Sequence, residues 1–266
     1  MIKKFLINLI FFLFLNVTSY SLELSGNFVQ GGLVKGKVQA GTKVLLDNKP
    51  LKVSKEGFFV FGISKERLSD VKLEFEHNSK KNIVTKKIKK RKFVIQRIDG
   101  LPPRMVTPNE NDMLRIKAEA KLINKAKLID SNNIYFYTDF LKPVDGIITG
   151  KYGNQRILNG EPRRAHYGID IAAKKGTLVK SPANGIVTLV EKNLYFTGGT
   201  IFIDHGHGVN SIYSHLETVN VEKGQAVLKG DVIATVGSTG RSTGPHLDFR
   251  IYWKDVAVDP ELVLKN

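Results

Sequence analysis

Short runs of alternating hydrophobic and polar residues, separated by turn residues, extend from Leu22 to about Ile98. Segments such as GFFVFGI and DVKLEFEH have the period of two that is typical of strands, so residues 22–98 are predicted to form a small antiparallel, sandwich-like β domain. Residues 80–92 include eight basic and no acidic residues, interleaved with apolar ones. We interpret them as an edge strand protected by lysine, with a dedicated anion-binding patch as the alternative.

The pattern changes twice further along the chain. After the break at Pro102-Pro103, residues 110–130 read as a mixed-charge helix inside a linker over residues 99–134. From about residue 135 to residue 266 the chain is rich in glycine and short strands, with turn signals such as Asn184-Gly185. The predicted fold class is therefore all-β, with a larger C-terminal β domain, a small N-terminal one and a connecting helix.

The first 21 residues have the pattern of a signal peptide. Lys3 and Lys4 precede an apolar stretch from Phe5 to Leu15, and Ser19-Tyr20-Ser21 has the small-x-small form of a cleavage site. An uncleaved membrane anchor is the alternative, but about 20 apolar residues are needed to cross a bilayer. We expect cleavage after Ser21, export to the periplasm or cell envelope, and no transmembrane span in the mature form.

The composition of the chain limits its possible binding partners and metal ligands. The chain has 41 Lys and Arg against 25 Asp and Glu, a formal charge of +16 that favours polyanionic surroundings. Export makes a cell-wall polymer a better partner than nucleic acid, so no nucleic-acid partner is expected. The absence of cysteine excludes disulfides, thiolate nucleophiles and Cys-ligated zinc, so any metal site must use histidine and carboxylates.

Five of the six histidines fall in the last 101 residues. In a strand, His166 and Asp170 would lie on one face, and so would His246 and Asp248. His215 shares a face with Tyr213 in the alternating run SIYSHL and could be presented from a strand end. These three segments would have to converge to form one site.

Several ordered motifs resemble one family. The segments RILNGEPRRAHYGIDIAA, GGTIFIDHGHGVNSIYSHL and GSTGRSTGPHLDFRI are similar to those of the LytM/lysostaphin-type zinc endopeptidases of bacterial cell walls (peptidase family M23), over roughly residues 135–264. The resemblance implies a β-sheet peptidase domain with lipoyl-like hammerhead features. It also implies that a metal-activated water hydrolyses peptide cross-links of peptidoglycan.

The resemblance carries site roles onto five residues. It implies zinc ligation by His166, Asp170 and Asp248, and catalytic roles for His215 and His246. Asp248 stands where the family usually has histidine. Aspartate is a competent zinc ligand, but two carboxylates cancel the charge of the ion, which predicts a less acidified water and makes Mn²⁺ an alternative to Zn²⁺.

Other histidines and other functions stay open at this point. His205 and His207 form a rival pair on one strand face by spacing, but the resemblance assigns them to a strand-end turn with a structural role; His77 is expected to be exposed. The alternative function is a catalytically impaired member that binds and activates a cell-wall amidase; the partner predicted besides peptidoglycan is such an amidase or a division or elongation complex. A binding module is a third possibility because VEKGQAVLKGDVIATV resembles a lipoyl-type hammerhead, although no lysine occupies the expected modified hairpin.

Overall fold

A computed structural model describes residues 22–265 of the chain. The predicted signal peptide and Asn266 lie outside the described residues. Within this range, no helix is both long and apolar enough to cross a bilayer.

The first part of the chain contains two small sheets. The three-stranded sheet has the order β1-β2-β5 and the four-stranded sheet has the order β4-β3-β6-β7, with every pairing antiparallel. The strands are β1 (Glu23–Gly26), β2 (Leu33–Lys37), β3 (Lys43–Leu46), β4 (Lys49–Pro50), β5 (Phe58–Gly62), β6 (Val71–His77) and β7 (Lys80–Lys86).

One apolar cluster joins these two sheets. Phe59 and Phe61 of β5 contribute to it from one sheet, and Leu73 of β6 contributes from the other. Strand β6 alternates buried apolar and half-buried charged residues, as its sequence predicts. The lysine-rich strand β7 lies at the sheet edge and is largely exposed, so the predicted edge strand is confirmed for residues 80–86.

A helical segment follows. Helix α1 (Pro103–Val106) is a single turn, and helix α2 (Glu110–Lys127) confirms the predicted helix to within three residues of its end. The Asn109 side chain caps α2 by accepting a hydrogen bond from the Asp112 backbone N–H at 2.9 Å. The buried Asp112 side chain accepts hydrogen bonds from Arg104 and from the Tyr195 hydroxyl, which fixes the helix against the larger sheet.

The C-terminal part is built around a ten-stranded sheet. Its main path is β10-β13-β20-β17-β16-β15-β18, and β14, β19 and β21 pair alongside it. The remaining strands are β8 (Ile95–Ile98), β9 (Phe140–Leu141), β10 (Ile147–Gly150), β11 (Gln155–Leu158), β12 (Glu161–Ala165), β13 (Ile169–Ala172), β14 (Leu178–Lys180), β15 (Gly185–Leu194), β16 (Gly198–Asp204), β17 (Val209–Val219), β18 (Ala226–Val227), β19 (Val232–Val236), β20 (His246–Trp253), β21 (Val256–Val258) and β22 (Leu264–Lys265). Single 3₁₀ turns lie at Tyr135–Tyr137 and Pro260–Leu262.

The two parts of the chain share contacts. Strand β8 pairs in parallel with β11, so the last strand before the linker joins the C-terminal part. The Arg91 guanidinium lies 2.7 Å from a carboxylate oxygen of Asp259, whose side chain is only 1% exposed. Asp259 also donates its backbone N–H to the Gly31 carbonyl and accepts one from the Glu261 backbone. This carboxylate therefore connects the first sheets to the C-terminal turn.

We expect Asp259→Ala to lower the free energy of unfolding by about 2 kcal/mol, because it removes the buried partner of Arg91 and a turn cap. Urea unfolding followed by circular dichroism measures the change. Asp255→Ala, which removes an exposed carboxylate in the same region, is the matched control and should have little effect. Equal stability of the two variants would contradict this role of Asp259.

Candidate metal and catalytic site

Three strands of the large sheet bring the site together. Asp170 of β13 lies directly opposite Asp248 of β20, and His246 lies opposite Ala172 in the same antiparallel pair. On the other side of β20, Ser214 of β17 pairs with Asp248, which places the neighbouring His215 at the same end of the sheet. The three separated segments thus converge, as the sequence analysis requires.

His166, Asp170 and Asp248 form a compact group of possible ligands. One donor atom from each lies within 4.8 Å of the others, and all three residues are buried. His166 Nε2 is 3.3 Å from Asp170 Oδ1 and 3.6 Å from Asp248 Oδ1. Neither His166 Nε2 nor Asp170 Oδ1 has a hydrogen-bond partner among residues 22–265.

This arrangement fits a divalent cation. Buried polar atoms without partners are costly, and one imidazole nitrogen with two carboxylates is a donor set that zinc and manganese accept. A cation bound between these atoms would give His166 Nε2 and Asp170 Oδ1 the partner that each of them lacks. The geometry therefore supports these three residues as ligands.

An arginine holds each of the two carboxylates. Arg250 Nε and Nη2 donate to both oxygens of Asp248 at 2.8 and 2.5 Å, and Arg156 donates to Asp170 Oδ2. Burial would raise the pKa of Asp248, but the Arg250 guanidinium, together with His166, holds it well below its usual range. Asp248 is therefore ionised and fixed in orientation.

The two further histidines lie beside these ligands. The rings of His215 and His246 have centroids 4.7 Å apart, and His246 Nε2 is 3.9 Å from Asp170 Oδ1. The Nδ1 atoms of His215 and His246 lie 2.7 and 2.8 Å from the carbonyl oxygens of Thr239 and Gly244. Because a carbonyl can only accept, each Nδ1 carries the proton, and each Nε2 is left as an acceptor in the neutral ring.

His215 has an unusual backbone conformation. It lies inside β17 rather than at the expected strand end, and its φ of +64° is in the left-handed region that favours glycine. Its backbone N–H donates to the Thr197 carbonyl at 2.7 Å. Burial lowers the pKa of His215 to about 4, against the opposing charge of Asp248, so its ring is neutral at pH 7. A strained backbone at a buried histidine is typical of functional sites.

The position of His166 corrects one expectation. His166 and Asp170 were predicted to share one strand face, but β13 begins at Ile169, and His166 lies in the connection after β12. Gly168 allows this connection to approach β20, because a Cβ there would lie 2.5 Å from the Phe249 carbonyl oxygen. The imidazole reaches the site through the connection and not through strand alternation.

Sequence reasoning missed several residues that support the site. Arg156 and Gly150 come from other strands; a Cβ on Gly150 would lie 2.1 Å from Asp170 Oδ2, so only glycine leaves room for that carboxylate. The sequence could have indicated Arg250, because it lies two residues after Asp248 on the same strand and therefore on the same face. Nothing in the sequence marked Thr239, whose carbonyl orients His215.

The remaining histidines lie outside this group. His205 is fully buried, with Nδ1 2.7 Å from the Asn184 carbonyl and Nε2 2.8 Å from Ser211 Oγ. The His207 ring packs against Phe136, with the two ring centroids 4.9 Å apart. His205 and His207 do not share a strand face, because β16 ends at Asp204. His77 was expected to be exposed, but it is half-buried and lies 3.2 Å from Thr42 Oγ1.

Comparison with known proteins identifies the family of this domain. Residues 164–260 match the family model described as peptidase family M23. The chain is 41% identical over 97 residues to the DD-carboxypeptidase/endopeptidase Mpg of Neisseria meningitidis, which covers 36% of this chain and 22% of that protein. It is 40% identical over 94 residues to the peptidoglycan DD-endopeptidase ShyB of Vibrio cholerae, covering 35% and 22%. The chain therefore spans about a fifth of the length of these curated relatives.

A solved structure extends the similarity beyond the matched domain. A crystal structure described as a peptidase M23 from Pseudomonas aeruginosa superposes with a TM-score of 0.68 at 29% identity, covering 89% of this chain and 94% of that one. Residues 164–260 of the present chain belong to peptidase family M23. The resemblance indicated by the motifs and the all-β fold class are both confirmed.

The burial of His205 predicts how the stability of the protein depends on pH. Burial lowers its pKa to about 4, below the value of 6.5 expected in the unfolded chain. The unfolded state then binds the proton more readily, so stability is complete above pH 6.5, falls between pH 6.5 and 4, and loses nothing further below 4.

We expect His205→Asn, which retains a donor for the Asn184 carbonyl but does not titrate, to reduce the loss between pH 7.5 and pH 5 by about 2 kcal/mol. Urea unfolding at pH 7.5 and pH 5 gives the loss for each protein. The comparison uses the difference between the two pH values, so a uniform destabilisation by the substitution does not affect it. An unchanged pH dependence would show that His205 is not buried in its neutral form.

Proposed function

We propose that this chain is an exported metallopeptidase that hydrolyses peptide cross-links of peptidoglycan, with His166, Asp170 and Asp248 as the metal ligands. The convergence of three buried ligand groups carries this proposal, because His166 Nε2 and Asp170 Oδ1 have no hydrogen-bond partner in the described part of the chain. The family of residues 164–260 supports peptidase chemistry. The similarity to ShyB, a peptidoglycan DD-endopeptidase, supports the cell-wall substrate. The predicted signal peptide supports a periplasmic or cell-envelope location.

A zinc or manganese ion bound there would supply Lewis-acid chemistry, acidifying a water and polarising the carbonyl of the peptide bond. The protein supplies the proton transfers. His215 and His246 lie beside the ligand group, and Nε2 is the atom that accepts a proton in the neutral form of each ring, so either ring can take a proton from the attacking water. The protonated ring can then stabilise the oxyanion or return the proton to the leaving amine.

The paired arginines alter the charge balance expected from the ligands alone. Two carboxylates would cancel the charge of a divalent ion, but Arg156 and Arg250 each neutralise one of them at hydrogen-bond distance. The site therefore retains net positive charge when an ion is bound, which favours ionisation of a water. Asp248 is compatible with catalysis in this setting.

The second candidate function is activation of a cell-wall amidase by a member without catalytic metal. One observation favours it: both oxygens of Asp248 are already bound by Arg250, so the ion pair could hold the site together by itself. In that case the protein would act by binding a partner, within a division or elongation complex. Metal dependence separates the two functions.

Digestion of purified, cross-linked peptidoglycan by residues 22–266, with Zn²⁺ or Mn²⁺ added, tests the proposal. We expect new uncross-linked muropeptides in mass spectra. Asp248→Ala should reduce their release by on the order of a hundredfold or more, because losing a ligand costs more than losing a residue that supports one. Asp255→Ala, which removes an exposed carboxylate of the same domain, is the control and should retain activity.

Absence of any release, from a folded protein with either metal, would contradict the hydrolase. Enhancement of a wall amidase by that same protein would then support the activator. An equally active Asp248→Ala variant would contradict Asp248 as a ligand while leaving the hydrolase standing.

A further inference from the structure

Two clefts flank the candidate site, and Arg156, His215 and Arg241 line both. A cleft of about 330 Å³ includes Asp170 and His246 in its wall, and a second of about 320 Å³ includes Asp248 and Arg250. Arg241 contributes to both clefts. It therefore lies beside the proposed ligands, in the wall of each cleft.

The Arg241 side chain is held in place but retains free donors. Its guanidinium lies over the Phe196 ring at 4.3 Å from the centroid, and Nη1 donates to the Met105 carbonyl at 3.3 Å. A guanidinium has five N–H donors, so most remain available. No carboxylate within residues 22–265 forms an ion pair with Arg241, whereas Arg156 and Arg250 have Asp170 and Asp248.

The charge around Arg241 favours an incoming anion. Burial, followed by the nearby Arg156, Arg250 and Arg163, lowers the pKa of Arg241 to about 10 against the opposing charge of Asp248, so it stays charged at neutral pH beside three other arginines. Arg164, which is exposed and has no ion pair in the described part of the chain, adds further positive charge to the second cleft. An anion bound here would relieve this repulsion.

We propose that Arg241 binds a carboxylate of the peptide substrate next to the metal ligands, so that the preferred substrates carry a free carboxylate close to the cleaved bond. This inference rests on the proposed function. The planar fork of a guanidinium matches a carboxylate in a bidentate arrangement, and its support by Phe196 orients it before the substrate arrives. Arg241 thereby selects substrates and positions them, and it takes no part in the proton transfers.

The carboxylate could belong to a chain terminus or to an acidic side chain, and the test separates these sources. N-acetyl-D-alanine is compared with N-acetyl-D-alaninamide, and N-acetyl-D-glutamic acid α-amide with N-acetyl-D-glutamine α-amide. Binding of each compound to zinc-loaded residues 22–266 is measured by NMR titration, which does not depend on hydrolysis. We expect about tenfold tighter binding of the carboxylate in at least one of the two pairs.

Three variants assign the preference to Arg241. Arg241→Gln should abolish the difference within the pair, and Arg241→Lys, which keeps the charge without the fork, should retain part of it. Arg97→Gln makes the same change of net charge at an exposed position of β8 and should behave as the wild type. Unchanged circular dichroism spectra show that each variant is folded.

Equal binding of acid and amide in both pairs, or full discrimination by Arg241→Gln, would overturn the inference. These outcomes are distinct from a failure of the proposed function. A protein that digests peptidoglycan but binds acid and amide equally loses only the role of Arg241. A protein that discriminates through Arg241 but does not hydrolyse retains the carboxylate site and loses the peptidase.

Discussion

The site is organised by two carboxylates that face each other on adjacent strands. Asp170 and Asp248 are directly opposite in the β13–β20 pair, where like charges normally destabilise a sheet. Both are buried, so solvent cannot screen their repulsion. The structure offsets it with positive charge, from Arg156 on one carboxylate and from Arg250 on the other. The ion that we propose would add further positive charge between them.

Much of the surrounding backbone follows from this constraint. Gly150 leaves space for the Asp170 carboxylate, and Gly168 lets the connection carrying His166 approach β20. His215 adopts a left-handed conformation inside β17, with its ring beside that of His246. The core of the sheet is apolar and fully buried beneath these residues, which makes it a rigid support for them.

Local sequence patterns were sufficient to predict individual strand faces and the helix. The two-residue period of a strand placed His246 and Asp248 on one face of β20. The mixed-charge pattern after the proline break located α2 to within a few residues. The ordered motifs identified the family. His166 was predicted to share a strand face with Asp170, but it lies three residues before the start of β13, and alternation alone does not show where a strand begins.

What the sequence did not reveal depends on contacts between distant segments. Arg156 lies 14 residues before Asp170, and no local periodicity connects them. The expectation that two carboxylates would leave the ion without net charge counted ligands alone, and the arginines beyond the ligands change that balance. The crowding around Arg241 likewise arises only when β11, β20 and the loop after β19 meet in the fold.

Diffraction from crystals of residues 22–266 soaked with zinc, with anomalous data collected on either side of the zinc absorption edge, tests the central claim most directly. We expect one strong anomalous peak about 2.0–2.2 Å from His166 Nε2 and from an oxygen of each of Asp170 and Asp248. Arg156 and Arg250 should still contact the carboxylates from outside. A site without an anomalous peak, in which the arginines alone hold both carboxylates, would contradict it.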